Sequence, residues 1–433
     1  MQYYSTNRQS PVVGFKEAAL RGQAPDKGLY FPERIPVISQ QWLHQFRSIH
    51  KGELAFQIMQ PYVGGDISAE RLYEIVTETI HFDFPLIQLE EDIYVLELFH
   101  GPTLAFKDVG ARFMSRCLGY FSSDQTTKTT VLVATSGDTG GAVANGFLNV
   151  EGVEVIILYP AGKVSHVQEL QLTTCGNNIT ALRIHGTFDD CQQIVKEAFM
   201  DQQLAERLQL TSANSINIAR WLPQQLYYFL AMQQWSISQM APVIAVPSGN
   251  LGNIAAGLLA KRSGLEMGNF IAACNINDSI TDFLETGIHI PKQAVMTYSN
   301  AMDVGNPSNL IRILEMYQHD LNLIKSQVSS SKQTDEATIH AIRSVYEHSN
   351  YILDPHAAVG YKALKQTLRK GEKGLLLATA HPVKFPEIVE KAIGTSIPIP
   401  ESIKPLFTSA QQMIDMEASY ESFKEWLWYR SKQ

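Results

Sequence analysis

Five short apolar runs without polar alternation constrain the fold of this chain more than any other sequence feature. They cover residues 93–98, 131–134, 153–158, 243–246 and 374–378. Continuous runs of β-branched residues and leucine are typical of strands that are buried on both faces. Helical spacing occurs between them, at 189–200, 216–235 and 357–368. Alternating strands and helices predict an α/β fold with a mainly parallel sheet, where ligands bind beyond the carboxyl ends of the strands.

Composition narrows the possible functions. The 433 residues predict two or three domains, and the net charge of −8 leaves no basic surface for nucleic acid or an anionic membrane. The four cysteines form no CxxC pair, which favours reduced thiols over a zinc site or a disulfide scaffold. The chain has no signal-peptide pattern and no apolar run of membrane-spanning length. We therefore expect a soluble, cytoplasmic protein.

Two segments outside the apolar runs have local signals. Residues 24–32 are rich in Pro and Gly, which interrupt regular structure in the N-terminal part of the chain. The polar run 329–334 is predicted to be a loop that ends where Thr334 starts a helix.

The loop at 135–141 follows the apolar run 131–134 and contains Ser136, Asp138 and Thr139 among three glycines. Free N–H groups at the start of the next helix can bind an anion. The alternative is a plain helix cap with Asp138 or Thr139 as the N-cap residue. Both interpretations stay open for this loop alone.

The loop at 247–253 has the sequence Pro-Ser-Gly-Asn-Leu-Gly-Asn and precedes another helical pattern. It is neither a Walker A loop nor a GxGxxG fingerprint. Its glycines allow a nest of N–H donors without a positive charge, which suits a tightly held phosphate. A tight turn for helix packing is the alternative, but two such loops in one chain favour phosphate.

The loop at 378–384 offers Thr379, His381 and Lys384 at the mouth of the predicted sheet. His381 alone is more typical of a structural hydrogen bond than of a catalyst. The sequence contains no HxxxH or HExxH pattern that would indicate a metal site.

Lys107 lies near the start of a predicted helix and follows Leu104, Ala105 and Phe106. The helix dipole disfavours a cation there, and apolar neighbours lower an amine's pKa. Both effects favour a neutral, nucleophilic amine. The alternative is a solvated lysine, the commoner state of this residue type.

Together, these segments resemble the threonine synthase family of the pyridoxal-phosphate fold type II group. The resemblance is carried by several motifs in order along the chain: 24–30, 99–108, 135–141, 214–217 with Arg220, 247–253 and 354–359. It implies two mainly parallel-sheet subdomains with the cofactor between them, and an N-terminal region at 1–85. The catalytic part would cover 86–433, with the smaller subdomain near 105–220.

The resemblance also implies roles for individual residues. Lys107 would bond covalently to pyridoxal 5'-phosphate, Thr379 would meet its pyridine nitrogen, and Asp138 would lie near its phenolic oxygen. Its phosphate would be held by Gly249, Asn250, Leu251, Gly252 and Asn253. The substrate carboxylate would bind Ser136 and Thr139, and the substrate phosphate would bind Asn214, Ser215 and Arg220.

The implied reaction is a carbon–oxygen lyase reaction that converts O-phospho-L-homoserine and water to L-threonine and phosphate. A dehydratase or phospho-lyase, a non-catalytic anion-binding paralogue and a nucleotide-dependent transferase remain as alternatives. The motifs at 24–32 and 214–220 favour the synthase over a lyase. Small-molecule ligands are the expected partners, and the chain is expected to be a monomer or homodimer without a metal.

Overall fold

The computed structural model describes residues 1–122, 128–236 and 240–430. Its strands are β1 (Tyr3–Ser5), β2 (Tyr30–Pro32), β3 (Leu86–Gln88), β4 (Ile93–Glu97), β5 (Thr129–Ala134), β6 (Val153–Pro160), β7 (Ile179–His185), β8 (Gln209–Ser212), β9 (Val243–Pro247), β10 (Phe270–Cys274), β11 (Val328–Lys332), β12 (Gly374–Ala378) and β13 (Ile414–Glu417).

The first helices are α1 (Phe15–Arg21), α2 (Gln40–Gln45), α3 (Lys51–Val63), α4 (Ala69–Thr79), α5 (Lys107–Ser122), α6 (Asp138–Phe147), α7 (His166–Thr173), α8 (Phe188–Met200), α9 (Gln202–Ala205) and α10 (Ile218–Trp221). They are followed by α11 (Leu226–Gln234), α12 (Gly252–Arg262), α13 (Ser279–Thr286), α14 (Leu310–Met316), α15 (Leu321–Gln327), α16 (Asp335–Ser349), α17 (Pro355–Thr367), α18 (Pro386–Ile393) and α19 (Tyr420–Arg430). Short 3₁₀ segments occur at Phe46–Ser48, Leu222–Gln225, Asn300–Met302, Pro382–Lys384 and Glu401–Thr408.

The larger sheet has the strand order β11-β10-β9-β12-β4-β3. Its neighbouring strands are parallel except for β3, which runs antiparallel to β4. Strand β12 lies in the middle, where Leu376 pairs with Val95 of β4 and Ala245 of β9. The carboxyl ends of β4, β9 and β12 therefore lie side by side at one edge of this sheet.

A second, wholly parallel sheet has the order β13-β7-β6-β5-β8. Strands β5 to β8 come from 129–212, whereas β13 comes from the C-terminal part of the chain. The two parallel sheets confirm the predicted α/β fold class. The division at residue 85 and the subdomain limits of 105–220 stay predictions.

The five predicted strands are present as β4, β5, β6, β9 and β12, with ends that differ by at most two residues. The predicted helices at 189–200 and 357–368 correspond to α8 and α17. The predicted helix at 216–235 is instead broken into α10, the 3₁₀ segment Leu222–Gln225 and α11. Pro223 lies in the 3₁₀ segment, and proline cannot supply the N–H that a continuous α-helix requires.

The prediction of a loop at 329–334 was wrong for most of that run. Strand β11 pairs in parallel with β10 along its whole length, from Val328 to Lys332. Polar residues are common in edge strands, which face water along one side. Thr334 does start the next helix, because its side chain accepts a hydrogen bond from the N–H of Ala337.

The N-terminal region supports the helix that begins at Lys107. The ring of Phe15 in α1 packs against Phe113 and Phe121 of α5, with centroids 6.3 and 6.2 Å apart. This contact buries the outer face of α5 against the N-terminal region. Within the described residues, no helix combines the length and the apolar character needed to cross a membrane.

Candidate active site

The loops after β4 and β12 are joined by backbone hydrogen bonds. The N–H of Leu98 donates to the carbonyl of Ala378 at 2.9 Å, and that of Phe106 donates to Thr379 at 2.9 Å. The N–H of His381 in turn donates to Leu104 at 3.0 Å. These hydrogen bonds fix Lys107 next to Thr379, so two loops far apart in sequence lie side by side.

Lys107 is the first residue of α5, as the sequence predicted, and its side chain is half-buried. Burial lowers the pKa of its amine to about 8, although the Asp138 carboxylate opposes this change. The cations Arg220 and Lys384 lower the pKa further. A larger fraction of the amine is therefore neutral near physiological pH than in an exposed lysine.

The turn before Lys107 is held by its neighbour Asp108. The buried Asp108 carboxylate accepts hydrogen bonds from the N–H of Thr103 at 2.9 Å and from its hydroxyl at 2.5 Å. Leu104 has a positive φ of 57°, and the Tyr227 hydroxyl donates to the carbonyl of Phe106. These contacts fix the backbone from which the Lys107 side chain extends.

The loop at 248–253 forms a cradle of N–H donors at the start of α12. Leu251 has a left-handed φ of 57°, a backbone conformation that occurs in anion-binding nests of N–H groups. The N–H groups of Gly249, Asn250 and Leu251 have no acceptor among the described residues. The side-chain amide nitrogen of Asn253 is also buried without a partner.

The unsatisfied donors of this loop indicate whether it can hold a phosphate. Gly249 and Asn250 are half-buried and Leu251 is buried, and N–H groups removed from water are normally hydrogen-bonded, so this run of free donors can bind an anion. The loop also has no room for another side chain at Gly249, where a Cβ would lie 2.7 Å from the Cα of Met302. The cradle therefore fits the phosphate of pyridoxal phosphate.

Asp138 begins α6, but it does not cap this helix. The N-cap residue is Gly137, and the hydroxyl of Thr135 accepts hydrogen bonds from the N–H groups of Gly137 and Gly140 at 3.0 and 2.8 Å. The interpretation of Asp138 or Thr139 as N-cap was therefore wrong. Ser136 and Thr139 are half-buried beside this turn, and their hydroxyls bind no described residue.

The Asp138 carboxylate belongs to a buried ion pair. Its Oδ1 lies 2.8 Å from Lys384 Nζ and accepts a hydrogen bond from Gln168 at 2.9 Å. The Asp138 and Lys384 side chains are only 3% and 0% exposed. Burial alone would raise the pKa of Asp138, but Lys384 and then Lys107 hold it well below its usual range.

Arg220 packs against α5 one turn after Lys107. A Cβ on Gly110 would lie only 3.0 Å from the Nε of Arg220. One guanidinium nitrogen donates to the carbonyl of Ala213 at 2.5 Å, whereas Nε is buried and has no partner among the described residues. Burial lowers the pKa of this side chain to about 10. The structure thus places a cation with a free donor close to Lys107.

The other two residues predicted to bind substrate phosphate lie in the loop after β8. The Asn214 side chain donates to the carbonyl of Ala134 at 3.1 Å, which ties this loop to the end of β5. The Ser215 hydroxyl accepts hydrogen bonds from the side chains of Asn250 and Asn309, at 2.9 and 3.0 Å. Ser215 therefore links the segment at 214–220, where the resemblance implies the substrate phosphate, to the loop at 247–253.

Three residues of this site were not singled out from the sequence: Gln168, Asn309 and Arg312. Gln168 forms a capping box with Ser165, and this pattern predicts a helix start but not a contact with Asp138. Asn309 and Arg312 lie at the start of a seven-residue helix without a recognisable motif. Their position depends on long-range packing, for which the sequence offers no local signal.

The histidines near the site have structural partners. His381 Nδ1 accepts a hydrogen bond from the N–H of Val383 at 3.1 Å, and burial lowers its pKa to about 4. His356 contacts Asp354 at 2.6 Å and accepts from the N–H of Ala301 at 3.2 Å. No group of three or more His, Cys, Asp or Glu side chains that could hold a metal ion occurs within 1–122, 128–236 and 240–430.

Comparisons with known proteins agree with this geometry. Residues 71–379 match the family of pyridoxal-phosphate dependent enzymes. Residues 2–80 and 357–427 match the N-terminal and C-terminal regions of threonine synthase. Structures with low identity share the fold alone, such as maize serine racemase at 15% identity and a TM-score of 0.54.

Similarity to threonine synthases extends over nearly the whole chain. The enzyme of Escherichia coli is 42% identical over 404 residues, which cover 93% of this chain and 94% of that one. Its crystal structure has a TM-score of 0.94 and covers 99% of this chain and 100% of the other, at 39% identity. The pyridoxal-phosphate-bound threonine synthase of Brucella melitensis has a TM-score of 0.94 at 35% identity, with full coverage of both chains. This chain therefore belongs to the threonine synthase family of pyridoxal-phosphate-dependent enzymes.

Proposed function

We propose that this chain converts O-phospho-L-homoserine and water to L-threonine and phosphate, the last step of threonine biosynthesis. One observation carries the proposal: the chain combines the amine of Lys107, with its lowered pKa, and two sets of unsatisfied anion donors. One set belongs to the cradle at 248–253 and the other to Arg220. A site for two phosphate groups suits a phosphorylated cofactor and a phosphorylated substrate.

Bound pyridoxal phosphate supplies an electron sink for charge that develops on the substrate carbon atoms. Residues 249–253 would hold its phosphate, and the Thr379 hydroxyl, which binds no described residue, would bind its ring nitrogen. Thr379 is itself held in place because its carbonyl accepts the N–H of Phe106. Asp138 would lie near the ring oxygen, and its pairing with Lys384 leaves this part of the site with little net charge.

Lys107 moves the protons of the reaction. An amine with a pKa near 8 can accept a proton from the substrate Cα and return it at a later step without a large energy penalty. The hydroxyls of Ser136 and Thr139 bind the substrate carboxylate. Water then adds at Cβ after the γ-phosphate has left.

Arg220, with Asn214 and Ser215, binds the substrate phosphate. Its Nε has no partner within the described chain, and a guanidinium can donate two parallel hydrogen bonds to a phosphate. Arg220→Ala is expected to raise the KM for O-phospho-L-homoserine more than it lowers kcat. Arg220→Lys keeps the charge without the planar fork and serves as the matched control.

The decisive test is product analysis with the purified holoenzyme and O-phospho-L-homoserine. The proposal predicts equal amounts of released phosphate and L-threonine. A keto acid with ammonia would identify a lyase instead and would refute the synthase reaction. The cytoplasmic location, the monomeric or dimeric state and the lack of nucleic-acid or membrane partners remain predictions.

A further inference from the structure

Arg312 is a buried arginine whose charge has no acidic partner in the described part of the chain. Its side chain is fully buried in α14. Burial lowers the pKa of the guanidinium to about 9, and no carboxylate opposes this change. Burying an isolated charge is among the costliest events in folding, so its retention requires an explanation.

The hydrogen bonds of Arg312 go to neutral oxygen atoms. One terminal nitrogen donates to the carbonyl of Ser215 at 2.8 Å and to Oδ1 of Asn309 at 2.6 Å, and the other donates to the carbonyl of Ile216 at 2.6 Å. Its Nε is buried without an acceptor, and its Cζ lies 4.4 Å from the centroid of the Trp221 ring. These contacts satisfy most of the donors but leave the net positive charge uncancelled.

The same network reaches the phosphate cradle. The Asn309 side-chain amide, which contacts Arg312, also donates to the carbonyl of Asn250 at 2.9 Å and to the hydroxyl of Ser215 at 3.0 Å. The Asn250 amide donates to that same hydroxyl at 2.9 Å. Arg312 therefore contacts the loop at 214–220 directly and reaches the loop at 247–253 through one residue, Asn309.

The cradle itself contains no basic residue, since its sequence is Ser-Gly-Asn-Leu-Gly-Asn. A phosphate monoester bound there carries almost two negative charges. In a buried site of low dielectric, a fixed cation behind the loop would stabilise this charge without touching it. Arg312 thus supplies the positive charge that the cradle itself lacks.

We propose that the buried charge of Arg312 compensates the negative charge of a phosphate monoester that binds where the loops at 214–220 and 247–253 meet. It is a positioning residue that acts through Ser215, Asn309 and Asn250. The inference deepens the proposed function, on which it rests. The phosphate could belong to the cofactor or to the substrate, and the two sources are separated by experiment.

The first experiment compares two cofactor forms. Full-length protein carrying Arg312→Gln, which keeps donors but loses the charge, is reconstituted with pyridoxal phosphate or with pyridoxal. If the cofactor phosphate is the partner, the affinity of this variant for pyridoxal phosphate falls roughly ten- to a hundredfold, whereas its affinity for pyridoxal is unchanged. Arg312→Lys should lose less than Arg312→Gln, and equal losses in both variants would contradict a role for the charge.

The second arm tests the substrate phosphate. If that group is the partner, holoenzyme with Arg312→Gln keeps its cofactor affinity. Its KM for O-phospho-L-homoserine and its inhibition constant for inorganic phosphate then both rise roughly tenfold or more. Equal weakening of pyridoxal phosphate and pyridoxal, or no change in any of these quantities, would overturn the proposal.

A second pair of variants keeps Arg312, so that a change in binding cannot result from misfolding caused by its loss. Asn309→Asp puts a carboxylate beside the guanidinium, whereas Asn309→Ala removes the same amide without adding charge. The aspartate variant should bind phosphate, on cofactor or substrate, more weakly than the alanine variant, and equal binding would contradict the proposal. Binding is measured without turnover, so failure of the synthase reaction and failure of this inference give different results.

Discussion

At the scale of single residues, the site contains two buried or half-buried lysines that differ in their electrostatic surroundings. Lys384 is completely buried, with the Asp138 carboxylate 2.8 Å away and the Thr103 carbonyl at the same distance. Lys107 has no ion-pair partner of its own within the described chain, and burial lowers its pKa to about 8. This contrast favours Lys107 over Lys384 as the proposed nucleophile.

The pKa of Lys107 predicts how cofactor capture depends on pH. The rate of covalent capture by cofactor-free protein should rise through a midpoint near 8, rather than near the ordinary lysine value of 10.5. N-acetyl-lysine under the same conditions corrects for ionisation of the cofactor. A midpoint near that of the free amino acid would contradict a desolvated amine.

The lowered pKa of Lys107 also predicts how the free energy of unfolding changes with pH. Between pH 8 and 10.5 the unfolded chain binds more protons at Lys107 than the folded chain does. The contribution of Lys107 to the free energy of unfolding of the cofactor-free protein therefore rises with pH across this window. Lys107→Met should abolish this part of the pH dependence, as measured by denaturant unfolding at several pH values.

The Asp138–Lys384 pair predicts strong coupling between two substitutions. Lys384→Met leaves a buried carboxylate without its cation and should lower the free energy of unfolding by about 3–5 kcal/mol. Adding Asp138→Asn removes the unpaired charge and should restore much of that loss, but not the activity. Chemical unfolding of both variants measures the coupling, and equal losses in the single and double variants would contradict it.

At the scale of elements, the strand-to-helix loop before α12 depends on close backbone approach. Gly249→Ala would put a Cβ 2.7 Å from the Cα of Met302 and 3.0 Å from the carbonyl of Ala301. Because neither neighbour is a flexible side-chain end, the loop must shift, and cofactor affinity should fall roughly tenfold or more. Gly65→Ala is the matched control, since nothing lies within 4 Å of its Cβ. Equal affinities in the two variants, measured by cofactor titration, would refute this account.

Sequence patterns predicted elements best where local signals and burial agreed. Strands β4, β5, β6, β9 and β12 are continuous apolar runs, so their spacing and their composition both predicted buried strands. Strand β11 was missed because its serines carry no apolar signal and its pairing with β10 is a tertiary contact. The predicted helix at 216–235 is too long because apolar spacing continues through Pro223, whose missing N–H breaks the helix.

At the scale of the whole molecule, the C-terminal segment returns to complete the second sheet. Strand β13 pairs with β7, and Arg183 of β7 donates to both carboxylate oxygens of Asp415 at 2.7 and 2.8 Å. Phe423 of α19 is fully buried in the apolar cluster beneath this sheet. The integrity of the second sheet therefore depends on the last part of the chain.

This arrangement predicts a large effect of one distant substitution. Phe423→Ala should lower the free energy of unfolding by about 3–5 kcal/mol and raise hydrogen exchange in β6 and β7 more than in β9 and β12. Tyr429→Ala in the same helix is the control, because this side chain is 69% exposed and should change stability by less than about 0.5 kcal/mol. Uniform exchange in both sheets would contradict a local role for α19.

The site was predictable from sequence only as separate loops. Each of the segments 135–141, 214–220, 247–253 and 378–384 follows a strand, and parallel sheets bring such ends together. The partners of these loops were not predictable, because Arg312 reaches Ser215 across 97 positions and Lys384 reaches Thr103 across 281. Such contacts are fixed by packing rather than by any local pattern.

The most direct test of the whole account is to locate the covalently bound cofactor. Holoenzyme is reduced with borohydride and digested, and the pyridoxyl-labelled peptide is identified by mass spectrometry. The desolvated amine of Lys107 predicts a label on that residue, and Lys107→Ala should leave no labelled peptide. A label on Lys384, the other lysine buried at this site, would contradict the assignment.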